Sequence, residues 1–213
     1  MYEKPIKRLA AHMDEEKGSA LKSEGELMKQ NKETTYDVQP LRTKEEIEEM
    51  KWSLRRHCSE RDYFLFVFGI NTGLRVSDIL PLKVGDIRGK THVNVVQQKN
   101  GKPRRISLKQ LAPEIDNYTK GMSDEDYLFP SRKGNKPISE TQAYRALVKA
   151  GEGIDRTDIG THTMRKTFGY HHYKRNKDIA ILQEIFSHAA PSITKRYIGI
   201  TQDEIDESID FVL

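Results

Sequence analysis

Six side chains between residues 75 and 197 have the chemistry to act together on a phosphodiester. They are two arginines, a lysine, two histidines and a tyrosine: Arg75, Arg165, Lys99, His162, His188 and Tyr197. A phosphodiester under attack builds negative charge on its non-bridging oxygens, and a guanidinium can donate two parallel hydrogen bonds to such oxygens. A tyrosine phenol could serve as the nucleophile if the surrounding cations favour its ionised form.

Each of these residues has an ordinary explanation when it is taken alone. Arg75 and Asp78 are three positions apart and could form an ion pair on a helix surface. Lys99 beside a turn could simply be solvated, and an isolated Tyr197 would most often belong to a core or an interface. The two histidines could lie at helix ends. It is the joint occurrence of these residue types that indicates chemistry.

Three sequence segments carry five of the six residues. They are Thr-Gly-Leu-Arg-Val-Ser-Asp (72–78), His-Thr-Met-Arg-Lys-Thr-Phe (162–168) and Phe-Ser-His-Ala-Ala-Pro-Ser-Ile-Thr-Lys-Arg-Tyr (186–197). In order and spacing they resemble the T-G-x-R-x-x-E/D, H-x-x-R and L-G-H-x-x-x-x-x-T-x-x-Y boxes of the tyrosine recombinase, or phage integrase, family. The resemblance covers roughly residues 40 to 213. It departs at Phe186-Ser187, where the family usually has Leu-Gly.

The resemblance implies a site-specific DNA recombinase that cleaves and rejoins strands through a covalent 3′-phosphotyrosyl intermediate, in integration, excision or inversion. Tyr197 would be the nucleophile, and Arg75 and Arg165 would clamp the phosphate. Lys99, by likeness the lysine of the family's mobile loop, would protonate the departing 5′ oxygen. Asp78 matches the family's acidic position and would support the arginine.

The two histidines are expected to take part in proton transfer or phosphate binding. His162 lies three residues before Arg165, which on a helix puts both side chains on one face. Its imidazole could accept the phenolic proton or orient the phosphate, and the sequence leaves both roles open. His188 would donate to a phosphate oxygen.

The expected chemistry requires no cofactor, no metal and no ATP. A covalent phosphotyrosine stores the energy of the broken bond until a second DNA end displaces the enzyme. The sequence shows no phosphate-binding glycine loop and no clustered acidic metal ligands. One cysteine, Cys58, with seven scattered histidines gives no zinc pattern.

Two other functions remain open at this stage. The chain could be a catalytically weak DNA-binding regulatory module derived from an integrase, which would bind DNA without covalent capture. It could also be a type IB-like topoisomerase, which would rejoin the original strand. By resemblance, the position of Tyr197 close to the C-terminus favours a recombinase over a topoisomerase.

The distribution of charge indicates double-stranded DNA as the partner. The net charge is only +4, but residues 83 to 109 contain eight Lys or Arg and a single acid. Electrostatic binding to nucleic acid needs positive charge collected on one surface, although such a run can also be a solvated face. The candidate DNA-contacting residues are Lys83, Lys102, Arg104, Arg105 and Lys166.

The predicted elements are mostly helical. A capping box at Thr43 predicts a helix over 43–57, an apolar run predicts a buried helix over 61–73, and a short helix follows over 75–80. Residues 92–98 and 104–108 are typical of strands, with Asn100-Gly101 favouring a tight two-residue turn. Further helices are predicted over 111–120, 139–151, 163–175 and 179–187. We therefore expect a mainly α fold with a small antiparallel β-hairpin, of the α+β class.

The domain expectation is a flexible or loosely helical charged leader over residues 1–36, followed by a catalytic domain over 37–213. The leader is too short to supply the N-terminal DNA-clamping domain usual in the resembled family, so weaker and more salt-sensitive binding is expected. A tail helix over 202–213 has an amphipathic stripe. It would pack on its own domain or, as in the family, on a neighbouring protomer of a tetramer on DNA. No apolar run is long enough for a membrane span, and a cytoplasmic location is expected.

Overall fold

The computed structural model describes residues 38 to 200. The expected leader over 1–36 and the expected tail helix over 202–213 lie outside the described residues. Within residues 38–200, no helix is both long and apolar enough to cross a membrane.

Eight helices and one two-stranded sheet make up the described part of the chain. In chain order the elements are α1 Lys44–His57, α2 Glu60–Thr72, α3 Val76–Ile79, β1 His92–Val96, β2 Pro103–Ser107, α4 Ala112–Tyr118, α5 Glu140–Glu152, α6 Thr161–Asn176, α7 Ile179–Phe186 and α8 Pro191–Ile198. Short 3-10 turns over Val84–Asp86 and Lys109–Leu111 flank the sheet. The predicted mainly helical fold with one small hairpin is confirmed.

Helix α2 forms the centre of the core because its residues 63–68 are all apolar. Phe64, Leu65, Phe66 and Phe68 are each at most 1% exposed. Around them, α2 packs against α1, α4, α5 and α6. Burial of these side chains stabilises the fold, and α2 ends at Thr72, directly before Gly73.

Three helices begin directly after a serine or threonine cap, and the sequence predicted the one at Thr43 as a capping box. The side chains of Thr43, Ser59 and Ser139 each accept a hydrogen bond from the backbone amide of the third residue of their helix. The side chain of that residue accepts in turn from the backbone amide of the cap. These reciprocal bonds satisfy amide groups that a helix N-terminus otherwise leaves unpaired. The sequence therefore locates the starts of α1 and α5 to the residue.

The hairpin turn differs from the two-residue turn that Asn100-Gly101 suggested. Strand pairing runs from His92 with Ser107 to Val96 with Pro103. Beyond it, the Gln97 amide donates to the carbonyl of Lys102, so residues 98–101 form a four-residue loop. The prediction was wrong because tertiary bonds override the local turn preference: the amide of Gln98 is held by the Asp78 carboxylate at 2.8 Å.

Helix α8, which carries Tyr197, was not among the predicted elements. Pro191 occupies its first turn and Gly199 ends it in the left-handed conformation, at φ +73°. Proline at a helix start and glycine after its end are recognised signals, so this element could have been found from the sequence. With α7 it forms a second, smaller apolar cluster centred on Leu182, Phe186 and Ile198.

Candidate active site

Arg165 is the most deeply buried cation of the predicted set. It lies in the first turns of α6 and is 2% exposed. Its guanidinium donates to the carbonyl oxygens of Gly73, at 2.6 Å, and Phe186, at 3.2 Å, and lies 4.3 Å from the centroid of the Phe186 ring. Both carbonyls belong to helix ends, where oxygens are unpaired and the helix dipole is negative. Arg165 thus joins the ends of α2 and α7.

Gly73 makes this junction possible. It ends α2 in the left-handed conformation, at φ +61°, and a Cβ at this position would lie 2.3 Å from a ring atom of Phe168. Only glycine tolerates both the backbone angle and the close approach of α6. The Thr-Gly pair of the first sequence segment therefore has a structural duty: it brings α6 and Arg165 against the end of α2.

Arg75 lies two residues further along, at the start of α3, and its side chain is 18% exposed. Its Nη1 donates to Oε1 of Gln97 at 2.8 Å and lies 3.9 Å from Oδ2 of Asp78. The Asp78 side chain is fully buried, and its Oδ1 accepts from the amide of Gln98. Asp78 therefore lies where the resemblance placed it, beside Arg75, and it also fixes the end of β1.

Tyr197 faces His162 across the site. The phenol oxygen lies 3.0 Å from Nδ1 of His162, which is within hydrogen-bond distance. The phenol ring packs edge-on against the rings of His188 and Phe186, with centroids 5.2 Å and 5.5 Å away. The ring is therefore held on two sides, and its hydroxyl points at an imidazole from another helix.

Burial dominates the protonation states of these groups. It raises the pKa of Tyr197 to about 12, against the opposing charges of Arg165 and Arg75. It lowers the pKa of His162, which the charges of Lys166 and Arg165 lower further. Burial and the nearby Arg165 charge lower the pKa of His188 to about 4. Near neutral pH the phenol keeps its proton and both imidazoles are uncharged.

His188 follows a turn at Phe186-Ser187, where the sequence departs from the Leu-Gly usual in the resembled family. Ser187, where the resembled family usually has glycine, ends α7 in the left-handed conformation at φ +53°. The amide of His188 donates to the Gln183 carbonyl, so the chain still closes the helix end as a glycine would. Nδ1 of His188 lies 3.0 Å from Oγ1 of Thr194 on α8. The substitution is accommodated, and α8 orients the histidine.

Lys99 lies at the exposed tip of the β1–β2 loop. It lines a cleft of about 430 Å³ with Arg75, His162 and Arg165. Glu140 at the start of α5 contributes a carboxylate to the same cleft. Because the lysine is exposed while the arginines behind it are held by hydrogen bonds, it is the member of the set that can move most freely.

The structure separates the five candidate DNA-contacting residues. Lys102 and Arg105 are exposed and line a second cleft of about 690 Å³ beside His188. Arg104 also borders it, but it donates to the carbonyls of Thr72 and Gly73, and burial lowers its pKa to about 10. Lys166 is 8% exposed, and its Nζ lies 5.5 Å from the centroid of the Tyr197 ring. Lys83 forms a salt bridge with Glu125, with 2.7 Å between Nζ and Oε2.

Two polar residues of the site were not singled out in the sequence. Thr194 matches the threonine of the third box and could have been assigned from that motif. Gln97 has no comparable signal, because a glutamine at the end of a strand is most often solvated. Here it is 3% exposed and bonded to Arg75. Only the tertiary structure shows that contact.

Acidification is expected to destabilise the fold through His188. In the folded chain this imidazole stays neutral down to pH about 4, whereas an unfolded histidine takes up a proton near its ordinary value of 6.5. The unfolded state therefore binds more protons between these values. The contribution of neutral His188 to the unfolding free energy is therefore complete above pH about 6.5 and is lost progressively as the pH falls toward 4.

Urea denaturation at a series of pH values checks this expectation. His188→Gln should weaken the loss of unfolding free energy on acidification relative to the native chain. An identical pH dependence in native chain and His188→Gln would contradict the assignment.

Comparison with known proteins agrees with this fold. The model of the phage integrase family matches residues 41–204. The chain therefore belongs to the phage integrase family. It is 53% identical over 167 residues to the probable integrase/recombinase YoeC of Bacillus subtilis (strain 168), covering 78% of this chain and 92% of that protein.

A second relative is the tyrosine recombinase XerA of Pyrococcus furiosus, 35% identical over 157 residues. The match covers 70% of this chain and 54% of that protein, so the chain spans about half the length of this relative. The crystal structure of XerA recombinase superposes with a TM-score of 0.63 at 22% identity, covering 80% of this chain and 64% of that chain. The crystal structure of a lambda integrase dimer bound to a COC′ core site superposes with a TM-score of 0.59 at 16% identity. The match covers 83% of this chain and 51% of that chain. These likenesses show the fold.

Proposed function

We propose that this chain is a DNA strand transferase that cleaves and rejoins double-stranded DNA through a covalent 3′-phosphotyrosyl intermediate on Tyr197. Membership of the phage integrase family supports site-specific recombination as the overall function. The observation that carries the covalent mechanism is the 3.0 Å approach of the Tyr197 hydroxyl to Nδ1 of a neutral His162, beside two guanidinium groups.

The nucleophilic step uses this pair directly. The phenol is protonated in the DNA-free site, because burial raises its pKa. As the Tyr197 oxygen bonds to phosphorus, its proton passes to His162, whose lowered pKa keeps it free to accept one. The bond from phosphorus to the 5′ oxygen breaks, leaving a 3′-phosphotyrosine and a free 5′ hydroxyl. Of the two roles that the sequence left open, this geometry favours His162 as the base.

The guanidinium groups of Arg75 and Arg165 bind the negative charge that grows on the phosphate oxygens. Both are held in place before DNA arrives, by Gln97 and by the Gly73 and Phe186 carbonyls. Pre-positioned cations stabilise a transition state without having to reorganise during the reaction. His188 would donate from its other ring nitrogen, since Nδ1 faces Thr194.

Lys99 is the proposed acid for the departing 5′ oxygen. Its exposed loop reaches over the cleft that the other cations line. Rejoining reverses these steps, with a second 5′ hydroxyl attacking the phosphotyrosine. The energy of the original bond is retained in the intermediate, so we propose that the reaction needs neither metal nor ATP.

The partner we propose is duplex DNA, with Lys102 and Arg105 contacting the backbone beside the site. The XerH site-specific recombinase, solved bound to difH substrate, shares this fold with a TM-score of 0.57. We propose that copies of this chain assemble on DNA through residues 202–213, as a tetramer. Whether the product is an integration, an excision or an inversion depends on the arrangement of the DNA sites.

Covalent capture tests the proposal. The protein is incubated with fragmented genomic DNA of its source in EDTA and without ATP, denatured in SDS, and recovered with any attached DNA. Sequencing that DNA is expected to reveal the target site. After nuclease and protease digestion, mass spectrometry is expected to find a nucleotide on the C-terminal tryptic peptide that contains Tyr197.

The outcomes separate the three functions considered. Attached DNA together with strand exchange between two labelled target duplexes supports a recombinase. Attached DNA with relaxation of supercoils but no exchange indicates a topoisomerase. Salt-sensitive DNA binding without attached DNA would overturn the covalent proposal in favour of a regulatory DNA-binding module.

A further inference from the structure

We propose that Gln97 is a positioning residue that holds Arg75 ready for the phosphate without cancelling its charge. The inference rests on the proposed function of the site but concerns a residue outside the sequence motifs. Gln97 is 3% exposed, and its Oε1 accepts a hydrogen bond from Nη1 of Arg75 at 2.8 Å. A buried amide directed at a partly exposed guanidinium is a specific arrangement, because buried polar groups are costly unless they are paired.

The base of the Gln97 side chain is fixed by its own backbone. Its amide donates to the Lys102 carbonyl at 3.0 Å, and its carbonyl accepts from the Gly101 amide at 2.8 Å. The next residue, Gln98, is tied to Asp78. These hydrogen bonds fix the backbone from which the Gln97 side chain extends. The side-chain oxygen therefore holds Arg75 against the hairpin and restricts its rotation.

The chemistry of the acceptor matters because Asp78 alone leaves Arg75 incompletely bound. Oδ1 of Asp78 accepts a hydrogen bond from the Gln98 amide. Oδ2 of Asp78 is buried, lies 3.9 Å from Nη1 of Arg75 and has no hydrogen-bond partner among the described residues. A second carboxylate would fix the arginine but would also compete with the phosphate for it. A neutral amide oxygen fixes the guanidinium and leaves its positive charge available.

Because Gln97 also lies two residues before Lys99, it could act instead through the lysine loop. The contacts favour the arginine: the side chain of Gln97 bonds to Arg75, whereas the loop is closed by backbone atoms that a side-chain substitution retains. We therefore assign the effect of Gln97 to phosphate binding in the transition state and not to protonation of the leaving group.

The first test requires no DNA. Gln97→Met keeps the length and bulk of the side chain but removes the acceptor, and Gln97→Glu keeps an acceptor and adds a charge. NMR of the arginine guanidinium nitrogens, with Arg75 assigned through Arg75→Lys, is expected to show slow rotation of Arg75 in the native chain and in Gln97→Glu. Rotation should be fast in Gln97→Met. Gln110→Met, at an exposed glutamine, should behave as the native chain does.

The second test measures single-turnover cleavage of the duplex recovered by covalent capture. Gln97→Met is expected to slow cleavage by about 10- to 100-fold, since a hydrogen bond to a charged group is lost, with a much smaller change in DNA affinity. Gln97→Glu is expected to be slower still, although its Arg75 remains fixed, because the carboxylate competes with the phosphate.

A substrate with sulfur in place of the 5′ bridging oxygen distinguishes an effect on leaving-group protonation by Lys99 from an effect on phosphate binding by Arg75. The thiolate leaves without protonation, so this duplex should restore cleavage by Lys99→Ala. It should not restore cleavage by Gln97→Met, if Gln97 acts through Arg75. Restoration of both variants to the same degree would overturn the assignment, as would unchanged Arg75 rotation in Gln97→Met.

The experiments distinguish failure of the covalent proposal from failure of the Gln97 proposal. If no DNA is captured at all, the covalent proposal fails, and the rotation of Arg75 still decides whether Gln97 positions it. If DNA is captured but Gln97→Met cleaves as fast as Gln110→Met, the covalent proposal stands and the role of Gln97 is refuted.

Discussion

Replacing Tyr197 with phenylalanine is expected to reduce SDS-resistant DNA attachment to background while the chain still folds and binds DNA. The substitution removes one oxygen atom, the proposed nucleophile, and no remaining group of the site can form the same bond. The phenyl ring keeps its packing against Phe186 and His188. The phenol loses its hydrogen bonds to His162 and Arg165, so the expected change in unfolding free energy is about 2 kcal/mol.

A matched control is available on α6. Tyr173 packs against the same small apolar cluster as Tyr197. Tyr173→Phe should therefore attach DNA as the native chain does, which would separate loss of the nucleophile from any general effect of removing a phenol. DNA that remains covalently attached to Tyr197→Phe would place the nucleophile elsewhere in the chain.

Replacing Arg165 with alanine is expected to slow cleavage by on the order of 10²- to 10³-fold and also to destabilise the fold. The kinetic effect follows from losing a fixed cation beside the reacting phosphate. The effect on stability has a separate cause. The Phe186 carbonyl would lose its bond from Arg165, the Gly73 carbonyl would keep only the longer bond from Arg104, and a cavity would open beside the Phe186 ring. We expect a loss of about 2–4 kcal/mol in unfolding free energy.

Arg165→Lys distinguishes these two effects. An ammonium keeps the positive charge but cannot reach both carbonyls and a phosphate in the planar geometry of a guanidinium. It should recover part of the stability and little of the cleavage rate. Arg132→Ala, in an exposed loop, serves as the control for removal of an arginine. Urea denaturation gives the stability, and single-turnover cleavage well below the unfolding temperature gives the rate. Full cleavage by Arg165→Ala would remove this residue from the proposed clamp.

Most helices were predictable because their signals are local. Thr43, Ser59 and Ser139 bond to amides three residues away, so their effect is present in any window of sequence that contains them. Helix α8 was not predicted, although the proline and glycine signals at its ends, Pro191 and Gly199, are also local. The hairpin turn was predicted wrongly because Asn100-Gly101 competes with a bond between Gln98 and Asp78, twenty residues apart in sequence.

The sequence by itself determined the residue types of the proposed site, their order along the chain and the family to which they belong. These properties follow from side-chain chemistry and from spacing, which are fixed once the chain is made. Only the tertiary structure decided which of the candidate DNA-contacting cations are exposed. Arg104 and Lys166 looked equivalent to Lys102 and Arg105 as surface charges, but the folded chain places Arg104 on the end of α2 and Lys166 beside the Tyr197 ring.

The same holds for Gln97 and for the protonation of the site. A hydrogen bond between residues 75 and 97, or between residues 162 and 197, exists only when separate elements pack together. The pKa values of Tyr197 and His188 are set by desolvation, which depends on what surrounds a group and not on its neighbours in sequence. Chemistry that depends on burial and distance is therefore decided by the fold.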